Sequence, residues 1–140
     1  MEGRALDIGG SKKGRRGSFS LPTENIQWEY LNSDATADPD YCCSAEKIPL
    51  ENNCINTVLM TEVLEYIDNP QAALSEIFRI LAPGGICIMT IPFLHAVHGD
   101  WQEDRQRFTA QKLKELSQKV GFRKIDVRPM GGLGSVVFDL

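Results

Sequence analysis

Near the start of the chain an acid and a glycine turn, Asp7-Ile8-Gly9-Gly10, follow directly on the short apolar run Ala5-Leu6. Glycines in that place let the backbone approach a ligand closely and offer N–H groups at a turn. A second acid, Asp34, closes the alternating stretch over 26–31 and the polar Asn32-Ser33. A carboxylate at the end of a second strand can accept two hydrogen bonds from ribose hydroxyls. Two further clusters, Ser44-Ala45-Glu46 and Thr61-Glu62, also follow apolar runs. A structural turn bearing a solvated Asp would equally explain the glycine turn, and Asp34 taken singly is a weak signal.

Positioning these clusters requires strands that end at them. Apolar or alternating runs over 5–10, 26–31, 41–44, 55–60, 86–91 and 123–128 read as six strands. Residues 11–24 show no apolar periodicity and read as a loop. Asn69 followed by Pro70 predicts a helix start, Leu74, Ile77, Phe78 and Leu81 recur at helical spacing, and Pro83-Gly84-Gly85 predicts the stop. Thr109 caps a last helix whose Leu113, Leu116 and Val120 share one face before Gly121. Alternation of strands and helices implies an α/β fold, a Rossmann-like, mostly parallel sheet with helices on both faces. In such a sheet ligands bind beyond the carboxyl ends of the strands, where all four clusters fall.

A length of 140 residues with 42% hydrophobic and 24% charged content suits one domain over 1–140. The formal net charge of -4 argues against a general grip on nucleic acid or an anionic membrane. Lys12, Lys13, Arg15 and Arg16 form a local basic loop, read as a solvated loop or a phosphate or nucleic-acid contact. With no apolar run long enough to span a bilayer and no leader pattern, the expectation is a cytoplasmic protein. Cys42, Cys43, Cys54 and Cys87 include no C-x-x-C, so free buried thiols are expected in place of zinc or disulfides.

The order of these motifs resembles the class I S-adenosylmethionine-dependent methyltransferases, in particular the type 11-like branch. Leu6-Asp7-Ile8-Gly9 is similar to the family's first motif, and Ala45-Glu46-Lys47-Ile48-Pro49-Leu50 to its A-E-x-L-P-F segment. Ile55-Asn56-Thr57-Val58 is similar to F-D-x-V, and Glu62-Val63-Leu64-Glu65-Tyr66 to x-V-L-E-H. The most specific match is the run from Pro70 to Gly85, containing Glu76-Ile77-Phe78-Arg79-Ile80-Leu81-Ala82-Pro83-Gly84-Gly85, which resembles P-x-x-A-L-x-E-I-x-R-V-L-K-P-G-G.

The resemblance implies S-adenosylmethionine as cofactor and an in-line methyl transfer without metal or covalent intermediate. It puts Asp7, Gly9 and Gly10 near the methionine part, Asp34 at the ribose, Ser44, Ala45 and Glu46 around the adenine, and Thr61 and Glu62 under the donor. A narrower likeness over 92–109 to the P-F … H-G-x-P-x-D-x-x-R-F-T stretch of one branch implies that His98, Asp104 and Arg107 orient or deprotonate the acceptor. Equally, Asp104 and Arg107 could pair at a helix start while His98 bonds backbone.

The chain departs from the family in its glycine loop, which reads Gly9-Gly10-Ser11-Lys12-Lys13-Gly14 in place of G-x-G-x-G, in Ser44 for the usual Asp, in Asn56 for Asp and in Tyr66 for His. The domain is further expected to be shortened at both ends, lacking the N-terminal helix and the last strand, and to leave a sheet edge that a homo-oligomer could cover. The expected activity is methyl transfer to a small-molecule or glycan-type acceptor. The alternative is a catalytically silent methyltransferase-like binding module. A nicotinamide-dependent oxidoreductase would need G-x-G-x-x-G, which the sequence lacks.

Overall fold

The computed structural model describes residues 3–12, 22, 24–93 and 103–129. Its first strand, β1 (Gly3–Ile8), carries four buried residues in succession, Ala5 to Ile8, the pattern of a strand covered on both faces. Beside it run β2 (Ile26–Asn32), β3 (Tyr41–Cys42), β4 (Ile55–Thr61) and β5 (Leu81–Thr90), in the order β3-β2-β1-β4-β5 with every neighbouring pair parallel. This is the expected Rossmann-like α/β architecture. The chain builds outward from β1 to β3, then crosses to β4 on the other side of β1, which makes the β1/β4 boundary the topological switch point.

Helix α1 (Pro70–Ile80) starts where its local signals say: the Asn69 side chain accepts from the Ala72 N–H and proline occupies the first turn. Its end corrects the sequence expectation, because β5 begins at Leu81 and takes in Pro83-Gly84-Gly85. The ladder pairs Ile55 with Leu81 but Thr57 with Ile86, so a bulge absorbs the extra residues. Proline is tolerated there because β5 is the outermost described strand.

Helix α2 (Ala110–Val120) is capped by Thr109, whose hydroxyl accepts from the Lys112 N–H, and closes on Gly121 at φ 119°. Beyond it the expected sixth strand over 123–128 is not formed: no described residue past Gly121 joins the sheet. Phe122 instead meets Phe78 of α1 edge-on, ring centroids 5.1 Å apart, tying the two helices together.

The core joins Leu6, Ile8, Leu31, Val58 and Met60 of the sheet to Ala73, Ile77 and Ile80 of α1, with Leu113 and Leu116 of α2 packed against it. On the opposite face Ala5, Asp7, Thr57 and Leu59 are buried along β1 and β4, whereas Ile86 and Ile88 of β5 are 47% and 40% exposed. All four cysteines are free thiols. Cys42 is exposed, contrary to expectation, since β3 is only two residues long at the sheet edge. Among the described residues no helix is long and apolar enough to cross a membrane.

Strands β1, β2 and β3 are also tied by a polar knot. Arg4 donates to Glu29 through Nε (2.7 Å) and Nη2 (3.1 Å), and the Tyr41 hydroxyl donates to Glu29 Oε2 at 2.5 Å. Arg4 first, with help from Tyr41, holds the buried Glu29 below its ordinary carboxylate range. The same bond to Glu29, aided by burial, pushes Tyr41 up to about 12. Because the folded form of Glu29 binds its proton less tightly than the unfolded form, stability is lost as pH falls below the ordinary glutamate value of about 4.3. Because folded Tyr41 keeps its proton longer, stability is lost as pH rises between about 10 and 12. Urea midpoints measured across pH should therefore show both limbs in the wild type, with a flatter acid limb in Glu29→Gln and a flatter alkaline limb in Tyr41→Phe.

Candidate active site

At the carboxyl ends of the strands lies a cavity of about 680 Å³. Its walls are Ile8 and Gly9 after β1, Leu31, Asn32 and Ser33 after β2, Cys43 to Glu46 after β3, Glu62 and Val63 after β4, and Tyr66, Ile67, Asp68 and Glu103 opposite. The walls mix apolar side chains with polar ones, four of them carboxylates, and a cavity of this size at a switch point is the usual place of a small-ligand site.

Gly9 has φ 81°, and a Cβ built on it would lie 2.3 Å from Val63 Cγ2. Both conformation and space therefore demand glycine. Its N–H is spent on the Leu31 carbonyl at 2.7 Å, so Gly9 brings a close backbone surface to the cavity and no free donor. Gly10 and Asp7, expected beside the ligand, are not among the residues that line this cavity. Asp7 is 1% exposed on the other face of β1, and a Cβ on Gly10 would fall 2.2 Å from its Oδ2. The carboxylate supports the turn from beneath, and Gly10 is small to admit it.

The unusual loop after Gly10 is fastened sideways. Ser11 Oγ donates to the Ala37 carbonyl (2.8 Å), Asn32 Nδ2 to the Gly10 carbonyl (3.0 Å), and Lys12 Nζ pairs with Asp40 Oδ1 (2.5 Å). Lys12 thus belongs to a loop contact within the protein. Asp34, expected at the ribose, is exposed and off the cavity wall. Its carboxylate caps the short turn Ala35–Ala37, accepting from the Thr36 N–H (2.8 Å) and hydroxyl (2.7 Å), and these bonds lower its pKa. Asn32 and Ser33 take the wall position instead.

Ser44, Ala45 and Glu46 line the cavity together. Ser44 Oγ accepts from the Glu46 N–H (3.1 Å), and Glu46 Oε1 accepts from the Asn69 N–H (2.8 Å), which sets this loop against the start of α1. Glu62 lines the cavity from a left-handed conformation, φ 53°, its N–H donating to the Thr90 carbonyl at 2.8 Å. Thr61 stays in the ladder opposite Thr90 and does not reach the wall.

The far wall is laced to the stretch before α2. Arg105 donates from its backbone to the Glu65 carbonyl (3.4 Å) and pairs with Asp68 (2.7 Å), while Gln106 Nε2 donates to the Ile67 carbonyl (2.5 Å). Asp104, its side chain fully buried, receives two bonds from Arg107, Nη1 to Oδ1 and Nη2 to Oδ2 at 2.8 Å. These two expected acceptor residues are occupied with each other, and neither is on the cavity wall. Burial first, then the nearby Asp104, Glu65 and Glu62 carboxylates, push the Tyr66 phenol above its ordinary value. His98 lies outside the described residues. Sequence reading missed Tyr66, Asp68 and Glu103 as wall residues. The one signal at hand was Tyr66 standing where the family has histidine.

A parallel sheet in this order with a cavity at its switch point defines a Rossmann-like nucleotide-binding fold. Residues 23–89 match the family described as methyltransferase domain. A ubiquinone/menaquinone biosynthesis C-methyltransferase, UbiE, of Nitrosospira multiformis is 26% identical over 87% of this chain and 68% of its own length. The malonyl-[acyl-carrier protein] O-methyltransferase of Alcanivorax borkumensis is 33% identical over 60% of this chain and 29% of its own. In fold the chain is similar to Haemonchus contortus phosphoethanolamine N-methyltransferase 2, solved with phosphomonomethylethanolamine and S-adenosylhomocysteine (TM-score 0.72, 22% identity, 92% of this chain and 35% of that one). The chain thus spans about two thirds of the first of these proteins and about a third of the other two. Residues 23–89 carry the match to a methyltransferase domain, and the proteins of like fold include methyltransferases solved with S-adenosylmethionine or S-adenosylhomocysteine.

Proposed function

We propose that the chain is an S-adenosylmethionine-dependent methyltransferase acting on a small-molecule or glycan-type acceptor, with its cofactor lying in the strand-end cavity across Gly9. The observation that carries the reading is the Gly9 cradle: backbone where any side chain would collide, forming one wall of a cavity sized for a drug-like ligand. In this reading Asn32 and Ser33 flank the ribose, Ser44, Ala45 and Glu46 enclose the adenine, and Glu62 and Tyr66 face the donor end. S-adenosylmethionine supplies a methyl group already activated on a sulfonium. The protein's part is then to hold donor and acceptor in line and keep water away, work suited to Leu31, Ala45, Val63 and Ile67 on the walls. The Asp104–Arg107 pair serves by fixing the far wall. A cytoplasmic location belongs to the same proposal, since four free thiols stay reduced there.

Calorimetric titration with S-adenosylhomocysteine should give saturable binding to folded protein, and no heat at millimolar ligand overturns the reading. Asn32→Ala should weaken that binding about 5- to 10-fold, as loss of one hydrogen-bonded tether does. Asp34→Ala should change it less than about twofold, because its exposed carboxylate serves a local cap over Ala35–Ala37. The reverse order of effects would restore Asp34 to the ribose.

A further inference from the structure

We infer that Glu76 and Arg79 of α1 are positioning residues that set the adenine-side loop of the cavity, an inference resting on the cofactor placement proposed above. Nothing in the cavity wall includes them. They act through Ser44-Ala45-Glu46, whose loop continues over 47–52 across the surface of α1.

Arg79 uses its guanidinium almost completely. Nε and Nη2 donate to the two Glu76 carboxylate oxygens (2.8 and 2.9 Å), Nη2 also to the Ile48 carbonyl (2.9 Å), and Nη1 to the Leu50 carbonyl (2.7 Å) and Asn52 Oδ1 (2.9 Å). Glu76 Oε2 in turn accepts the Ile48 N–H at 2.7 Å. The loop's main chain is therefore gripped at Ile48 on both its N–H and its carbonyl, and again at Leu50. At the other end of α1 the Asn69 N–H holds Glu46. Between these grips Ala45 and Ile48 are 5% and 3% exposed, so the loop has little freedom to shift without moving the cavity wall.

An ion pair three residues apart on a helix contributes little by itself. This one captures main-chain groups about 30 positions away in sequence, at carbonyls that no strand satisfies. Lysine cannot reproduce the grip, having one point of charge where arginine has a planar fork. The geometry also accounts for Glu76 and Arg79 standing in the most specific motif of the sequence although neither touches the cavity.

The test compares wild type with Arg79→Met, Arg79→Lys and Glu76→Gln. It reads S-adenosylhomocysteine affinity by calorimetry and amide hydrogen exchange residue by residue. Arg79→Met should bind about 10-fold or more weakly, and Arg79→Lys should recover only part of that loss. Exchange protection at the Ile48 and Leu50 amides should fall about 10-fold or more, while amides of β1 and β4 keep theirs. Wild-type affinity together with wild-type protection at Ile48 and Leu50 in Arg79→Met overturns the inference, as does a loss of protection spread evenly over the sheet. Should Arg79→Met fail to fold, Arg79→Lys and Glu76→Gln decide by the same two readings. If wild type binds no S-adenosylhomocysteine, the proposed ligand falls, and the exchange pattern still decides whether the clamp sets the loop.

Discussion

Alanine at position 9 should lower S-adenosylhomocysteine affinity by at least about 30-fold. The left-handed φ of 81° costs a non-glycine residue about 1–2 kcal/mol. The new methyl would also start 2.3 Å from Val63 Cγ2, and overpacking of that kind costs about 1–3 kcal/mol. Relief requires Gly9 to move toward the cavity or Val63 to move away, and both are walls of the cavity. The substitution thus acts on the ligand's own contact surface, at roughly tenfold in affinity for each 1.4 kcal/mol. Calorimetry on folded Gly9→Ala checks this, with circular dichroism to show that the sheet persists. Affinity within twofold of wild type would mean that the ligand does not lie across Gly9. Trimming the obstacle with Val63→Ala in the Gly9→Ala background should restore part of the loss, since it removes the collision and leaves only the backbone strain.

Arg107→Met should destabilise the fold by about 3–5 kcal/mol, because it leaves the fully buried Asp104 carboxylate without its bidentate partner. For a domain of this size that corresponds to a fall in Tm on the order of 10 °C. The far wall should loosen with it, since Arg105 and Gln106 lie between the paired residues and are bonded to the Glu65 and Ile67 carbonyls. Asp104→Asn combined with Arg107→Met should regain part of the stability, the buried charge having been removed from both sides. Thermal unfolding of the single and double variants decides the matter. Unchanged Tm with abolished methyl transfer would instead return Asp104 and Arg107 to acceptor chemistry, the role the motif over 92–109 implied.

The helix caps at Asn69 and Thr109, the glycine after α2 and the apolar strands were legible because each depends on residues within one or two turns of chain. The glycine turn was legible for the same reason: φ 81° at Gly9 is a local demand that one residue type meets without strain. Local signals misled at the junction of α1 and β5. Pro83-Gly84-Gly85 reads as a stop between two elements, yet the ladder starts before it and a bulge carries it. The alternation over 123–128 misled likewise, since a strand needs a neighbour and periodicity supplies none.

Sequence by itself determined the fold class and the four places where strand ends meet loops, because motif order and short-range periodicity are written along the chain. Tertiary structure alone decided which side chains in those places face the cavity. Asp34 was drawn to its own Thr36 two residues away, leaving Asn32 on the wall, and Asp7 was turned to the far face by the pleat of β1. Arg79 reached carbonyls about 30 residues away that no spacing rule connects to it. A side chain's partner is set by competition among all the groups that folding brings within hydrogen-bond reach, and that neighbourhood does not exist until the sheet has closed against α1.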